Sequence, residues 1–283
     1  MKKSLPIILV TLLLSSCVTP TPTKDNEEAL DDFGVFLGLE DNSKMSTLMN
    51  YKRVAIELDE FSSNNIQKLR NKNIEVYAYL SVGSLEKYRD YYNEFKDYTF
   101  YDYDNWDDER WMDVSQTSWQ NKMSELATEF RNKGATGLFL DNFDVYYIAC
   151  DEYKGSKSFT EGIYNGCHKI LENLSRSGLS LLINSGTMFL ERLNTEKDSL
   201  IDEVDWYAQE TVFSSIVDYD NDIFGKQDKE EQDYCFSMIK MMRPHSNVLL
   251  IEYTKDNDLV REIKEYANAN KVHYYISSRV NLD

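Results

Sequence analysis

GLFLDNFDVYY, residues 137–147, begins as a short apolar run and turns polar within five residues. Leu138, Phe139 and Leu140 read as a strand buried on both faces, as in parallel sheets covered by helices. Folding explains that half. It does not require two carboxylates and an amide, Asp141, Asn142 and Asp144, just beyond it. A helix N-cap would use one such residue. Three at one strand mouth point to chemistry.

Working outward, similar β-branched or aromatic runs recur at 33–38, 53–58, 75–82, 179–184, 204–210, 247–253 and 272–277, and 136–141 brings the strands to eight. Amphipathic patterns lie between them. Residues 62–72 bring Ile66 and Leu69 to one face. Residues 116–133 do so with Trp119, Met123, Leu126, Ala127 and Phe130. Residues 159–177 align Ile163, Cys167, Ile170, Leu171 and Leu174, and 257–269 align Leu259, Ile263, Tyr266 and Ala267. Strands alternating with helices over about 250 residues predict an α/β fold, a single (β/α)8 TIM barrel over 33–283. An open doubly wound sheet is the alternative, but no Gly-x-Gly-x-x-Gly follows the first strand. Long loops follow strand three (84–110) and strand six (211–232), and Trp111–Ser115 reads as an extra short strand.

Residues 1–16 read as a signal peptide: Lys2 and Lys3, then an apolar Ile7–Leu14 too short to span a bilayer. Leu14-Ser15-Ser16-Cys17 resembles a bacterial lipobox, which makes Cys17 the lipidation site. Residues 17–32 then form a flexible tether carrying TPTPT. The expected location is the cell envelope, lipid-anchored to a membrane and facing the periplasm or the surface, with the barrel acting as a monomer. Without Lys2 and Lys3 the net charge goes from −18 to −20. Such a chain repels nucleic acid and suits a cationic partner. With Cys17 lipidated, Cys150, Cys167 and Cys235 remain, and Cys150 to Cys167 would be the shortest bridge. His168, His245 and His273 lack ligand spacing, so neither a histidine metal site nor a cofactor is expected.

Barrels gather reactive groups at the carboxyl ends of strands. Asp141 alternates with Phe139 and Gly137, which puts it above the packed interior if that face points inward. On strand six, Glu210 alternates with Ala208 and Trp206. Strands four and six are two steps apart, so their Cα atoms lie about 10 Å apart at ~4.8 Å per step. Inward side chains close that gap to the range of a glycosidase carboxylate pair, where about 5–5.5 Å means retention and about 6.5–9.5 Å inversion. Other strand ends are polar too: Glu57 and Asp59; Tyr79, Ser81 and Ser84, with Glu86, Tyr88 and Arg89 beyond; Asn184 and Ser185; Glu252 and Tyr253; Ser277. The 84–110 loop adds Tyr91, Tyr92, Tyr98, Tyr101, Tyr103 and Trp106. Aromatic faces suit sugar C–H faces and attract cations, so an amine-bearing sugar meets both features. The same rings would also serve as a small core beneath their own loop.

Five segments together resemble glycoside hydrolase family 114: AYLSVGSLEKYRDYY (78–92), DERWMDVSQ (108–116), KGATGLFLDNFDVYY (133–147), LLINSG (181–186) and DWYAQET (205–211). The resemblance implies a (β/α)8 barrel that cleaves α-1,4-linked galactosamine-containing polymers with an Asp and a Glu. Carried over, these are Asp141 and Glu210; the reading taken has Asp141 as nucleophile and Glu210 as acid/base, and the two carboxylates could also trade places. Asp59, Tyr79, Ser81, Tyr88, Asp113, Asn142, Asp144, Asn184, Glu252 and Tyr253 are the expected substrate contacts, and a partially deacetylated aminosugar polysaccharide the expected partner. Crowding among acids is expected to raise Glu210. One departure stands out. Where many relatives read Glu-x-Asp-Asn, this chain has Phe139, one carboxylate fewer. Two other readings use the same residues: a carbohydrate-binding barrel without hydrolysis, and a metal-dependent hydrolase holding a divalent ion on Asp141, Asn142 and Asp144.

Overall fold

The computed structural model describes residues 31–39, 44–104 and 106–283. The segment read as a signal peptide, Cys17 and the expected tether up to residue 30 lie outside the described residues.

Eight parallel strands form one sheet in chain order. They are β1 (Asp31–Phe36), β2 (Tyr51–Ile56), β3 (Glu75–Ser81), β4 (Gly137–Asp141), β5 (Ser180–Asn184), β6 (Trp206–Glu210), β7 (Asn247–Tyr253) and β8 (His273–Ser277). β8 returns beside β1, so the sheet curls into a nearly closed (β/α)8 barrel. The first strand begins two residues inside the segment read as tether.

Six main helices cover the outside: α1 (Ser63–Asn71), α2 (Thr117–Lys133), α3 (Lys157–Ser175), α4 (Thr187–Glu196), α5 (Lys229–Met242) and α6 (Asn257–Asn270). Sequence cues start and stop them. The side chains of Ser62, Ser156, Asp228 and Asp256 accept hydrogen bonds from backbone N–H groups in the first turns of α1, α3, α5 and α6. Gly134 ends α2 in the left-handed conformation. The faces expected from periodicity are the buried ones: Trp119, Met123, Leu126, Ala127 and Phe130 on α2, and Ile163, Cys167, Ile170, Leu171 and Leu174 on α3. Each large aliphatic among them contributes about 1.5–3 kcal/mol of burial. Cys150, Cys167 and Cys235 are free; Cys167 is spent on the packed face of α3, away from any bridge.

Both long loops carry structure of their own. After β3, residues Ser84–Glu86, Thr99–Asp102 and Glu109–Met112 form an antiparallel sheet with 109–112 in the middle. The extra strand therefore ends at Met112, and residues 113–116 lead into α2. After β6, Ser214–Asp218 and Ile223–Lys226 pair as a hairpin. Both additions stand at the carboxyl ends of the barrel strands and wall the space above them.

Candidate active site

Glu57, Asp141, Asn184, Glu210 and Tyr253, from five consecutive or neighbouring barrel strands, line a cavity of about 550 Å³. Strand alternation accounts for this. Ala55, Phe139, Leu182 and Ala208, two residues earlier, are buried in the barrel below them. The inserted sheet supplies Glu86, Glu109 and Trp111, the hairpin supplies Ile216 and Tyr219, and the last residues, 280–283, complete the rim.

Asp141 and Glu210 meet across this cavity through one amide. Asn184 Nδ2 donates to Asp141 Oδ1 at 3.1 Å and to Glu210 Oε1 at 2.6 Å. Two oxygens so placed cannot be more than 5.7 Å apart. The two N–H bonds of an amide diverge by about 120°, which puts the oxygens about 5 Å apart. Retaining pairs hold their two carboxyl groups about 5–5.5 Å apart. Asp141 Oδ1 also accepts from the Asn142 N–H at 2.9 Å, and its Oδ2 from the Tyr79 hydroxyl at 3.3 Å. Glu210 Oε2 accepts from the Tyr253 hydroxyl at 2.7 Å. Burial first, and the charge of Glu210 second, push the Asp141 carboxyl up to about 8; the donors from Asn184 and Asn142 oppose this. Asp141 is thus held toward its protonated form. Burial and the adjacent acids hold Tyr79 and Tyr253 well above the usual phenol range, so both stay hydroxyl donors.

More acids surround the pair. Asp144 accepts from the Gly186 N–H at 3.1 Å, and burial pushes it up to about 6. Gly186 starts α4 with φ of +64°, and a Cβ there would stand 2.7 Å from that of Phe143. On the other wall Arg89 grips Glu57 with both guanidinium ends, at 2.8 and 2.9 Å, and also bonds Glu86. Burial raises Glu57 even so, with Arg89 opposing. Glu109 accepts from Ser84 Oγ at 2.7 Å, and burial, followed by the charge of Glu86, pushes it up to about 7. Among the described residues seven carboxylate side chains line the cavity (Glu57, Glu86, Glu109, Asp141, Asp144, Glu210 and Asp283), and no lysine or arginine does. Tyr88, Tyr103, Trp106, Trp111 and Tyr219 give it aromatic walls, with Tyr103 stacked on Trp111 at 4.4 Å.

Of the residues singled out from sequence, Tyr79, Tyr88, Asp141, Asn142, Asp144, Asn184, Glu210 and Tyr253 converge here. Asn142 lines the wall but its side chain is held by the protein: its amide donates to Ser81 and Ser84 at 2.9 and 3.1 Å, and its carbonyl accepts from Tyr103 at 2.9 Å. Ser81 is buried beneath it. This knot explains the Ser-x-Gly-Ser spacing, because a Cβ on Gly83 would fall 1.9 Å from the Asn142 carbonyl oxygen. The other three depart from expectation. Asp59 lies in a 3-10 turn past β2, half exposed and 3.7 Å from Arg89, outside the cavity. Asp113 holds Ser115 and Gln116 before α2. Glu252 is fully buried on the outward side of β7, where it accepts from the N–H groups of Val212, Phe213 and Ser214 and so fastens the loop after β6. Burial pushes Glu252 up to about 7.

Glu109 and Tyr219 were not marked as site residues by sequence reasoning. Glu109 reaches the cavity because the inserted sheet pairs it with Glu86. That register has no sequence signal as plain as a strand end. Of the loop aromatics, Tyr103 and Trp106 face the cavity. Tyr91 instead packs on Phe95 and Trp119, and Tyr101 on Tyr153, as a core beneath the loop.

Solved structures share this fold. The glycoside hydrolase domain of PelA from Pseudomonas aeruginosa superposes with a TM-score of 0.74 at 19% identity, over 89% of this chain and 96% of that one. Aspergillus fumigatus Ega3, solved in complex with galactosamine, gives 0.65 at 17% identity, over 90% and 93%. The α-galactosidase TtGalA from Thermus thermophilus gives 0.58 at 11% identity, over 87% of this chain and 57% of that one. No curated protein matches the sequence. The profile of glycoside-hydrolase family GH114, however, matches residues 18–283, almost the whole chain. With two carboxylates bridged at the mouth of a (β/α)8 barrel, the chain belongs to glycoside hydrolase family GH114.

Proposed function

We propose that this glycoside hydrolase cleaves α-1,4-linked, galactosamine-containing polysaccharide in which part of the amines are free, and that it does so with retention. The observation that carries the reading is the charge of the cavity: seven carboxylates, aromatic walls and, among the described residues, no lining cation. A protonated aminosugar brings the missing positive charge, and the rings suit its C–H faces. The galactosamine held by Ega3, a barrel of the same shape, supports this choice.

In the proposed reaction Asp141 attacks the anomeric carbon while the bond to the leaving oxygen breaks and Glu210 gives that oxygen its proton. Water then attacks the glycosyl ester, Glu210 takes the proton of that water, and Asp141 is released. The pair needs one proton between them. In the free site burial favours keeping it on Asp141. A substrate ammonium beside Asp141 favours its carboxylate, which is the form attack requires. We also propose that the enzyme acts as a monomer, anchored at the bacterial cell envelope through Cys17.

The test is release of new reducing ends from partially deacetylated α-1,4-galactosamine polymer. Wild type generates them, and Glu210→Gln, with an unchanged melting curve, does not. Near-normal turnover by Glu210→Gln would end the proposal. Polymer bound by wild type without new ends would make the barrel a binding protein instead.

A further inference from the structure

Asn184 stands between the two reacting acids, where its sequence reading as a substrate contact does not account for the bonds it makes. Its single amide nitrogen donates to both, at 3.1 and 2.6 Å. It is 4% exposed, and among the described residues its Oδ1 is one of two buried side-chain atoms without a hydrogen-bond partner. Leaving an acceptor unpaired is costly. The amide is therefore held in place by what its donor end does. Reversed, it would set an oxygen against two carboxylate oxygens.

We propose that Asn184 is a positioning residue that divides each carboxylate into a held oxygen and a working oxygen. This rests on the reading that Asp141 and Glu210 are the hydrolytic pair. Asp141 Oδ1 is filled by two donors, the Asn184 amide and the Asn142 N–H. Glu210 Oε1 accepts from the same amide. A proton on Asp141 Oδ1 would displace one of its two donors, and a proton on Glu210 Oε1 would weaken the bond it accepts, so both oxygens are disfavoured as proton sites. The proton and the attacking lone pair are left to Asp141 Oδ2 and Glu210 Oε2. Each of those faces a tyrosine hydroxyl, Tyr79 or Tyr253, which can turn to donate to a carboxylate or to accept from a carboxylic acid. The bridge thus sets the spacing, chooses the oxygens and keeps Asp141 ionisable. It touches the acids and acts through them.

The experiment compares wild type with Asn184→Leu, which keeps the volume and removes the donor. Asn184→Ala, which adds no atom to the core, repeats it should leucine disturb the strand. Two readouts are taken. The first is the titration of the Asp141 carboxyl carbon by NMR in the full protein, which needs no substrate. The second is the pH profile of polymer cleavage. The expected result is an Asp141 midpoint raised by about one pH unit, with the same shift in the limb of the profile that Asp141 governs. kcat should fall by about 10- to 100-fold while KM stays within about twofold. An Asp141 midpoint that stays put overturns the proposal, and so does a loss confined to KM, which would make Asn184 a plain substrate contact. Should wild type cleave no aminosugar polymer, the substrate reading fails, and the carbon titration still decides the bridge.

Discussion

Replacing Asp141 by Asn should abolish turnover and, near neutral pH, make the protein more stable. An unfolded aspartate ionises near pH 3.8, whereas burial and Glu210 hold the folded group near 8. Between those values the folded state keeps a proton that the unfolded state has lost. Its contribution is complete below the lower value and disappears as pH rises through the upper one, so stability falls with pH across the window. Each pH unit within it costs about 1.4 kcal/mol. From pH 5 to pH 7 one uncoupled carboxyl would cost about 2.7 kcal/mol, so a loss of about 1–3 kcal/mol is expected. Asparagine has no such loss and keeps an oxygen for the donors that Asp141 uses. The stability gap between Asp141→Asn and wild type should therefore widen by about 1–3 kcal/mol from pH 5 to pH 7, or about 2–10 °C in melting temperature for a chain of this size. Urea denaturation at both pH values, with thermal melts beside it, measures the gap. A gap no larger at pH 7 than at pH 5 would refute the claim that the site holds Asp141 against its charge.

Arg89→Ala leaves Glu57 and Glu86, 7% and 3% exposed, without their cation. It should cost about 3–5 kcal/mol by urea denaturation at pH 7, and less near pH 4, where protonation of the raised Glu57 removes a stranded charge; a cost below about 1 kcal/mol would mean water already reaches them. Arg89→Lys should recover only part of the loss, because the paired bonds to Glu57 need a planar fork. Cys17→Ser should move the protein from the membrane fraction to the soluble fraction of expressing cells and abolish palmitate labelling. Retention of the label would place the anchor elsewhere.

How much of this was legible beforehand follows from period and reach. The barrel could be read because each strand repeats every two residues and each helix face every three to four, and both patterns lie within one segment. Asp141 and Glu210 were readable for the same reason: each continues an inward series to its end. Alternation also explains the departures. Tyr253 continues the inward series of β7, and Glu252 beside it must point out. Glu57 follows Ala55 inward, while Asp59 comes after a turn that ends the alternation. Glu109 depended on a pairing between segments 25 residues from Ser84, its hydrogen-bond partner, and no local pattern encodes that. Asn184 was read as a substrate contact because a strand end predicts where a side chain goes, not what it meets there.

The raised acids share a physical cause, and it links folding to function. Asp141, Asp144 and Glu109 are each pushed up first by burial, and neighbouring carboxylates add to it. Arg89 offsets part of that charge, but it is committed to Glu57 and Glu86 at the wall. Among the described residues no lining cation offsets the rest. A protein selected for stability alone would put amides or apolar groups at these positions, as the chain does one inward step below Asp141, where Phe139 is buried and apolar. The carboxylates that remain are those with access to the cavity, where a bound cation can relieve their repulsion. Binding a positively charged sugar should then release strain that folding has stored, and most of that release falls on the pair that must share one proton. An uncharged sugar of the same shape would gain none of it. Selectivity for free amines would then come from the electrostatics of the empty site rather than from any single contact.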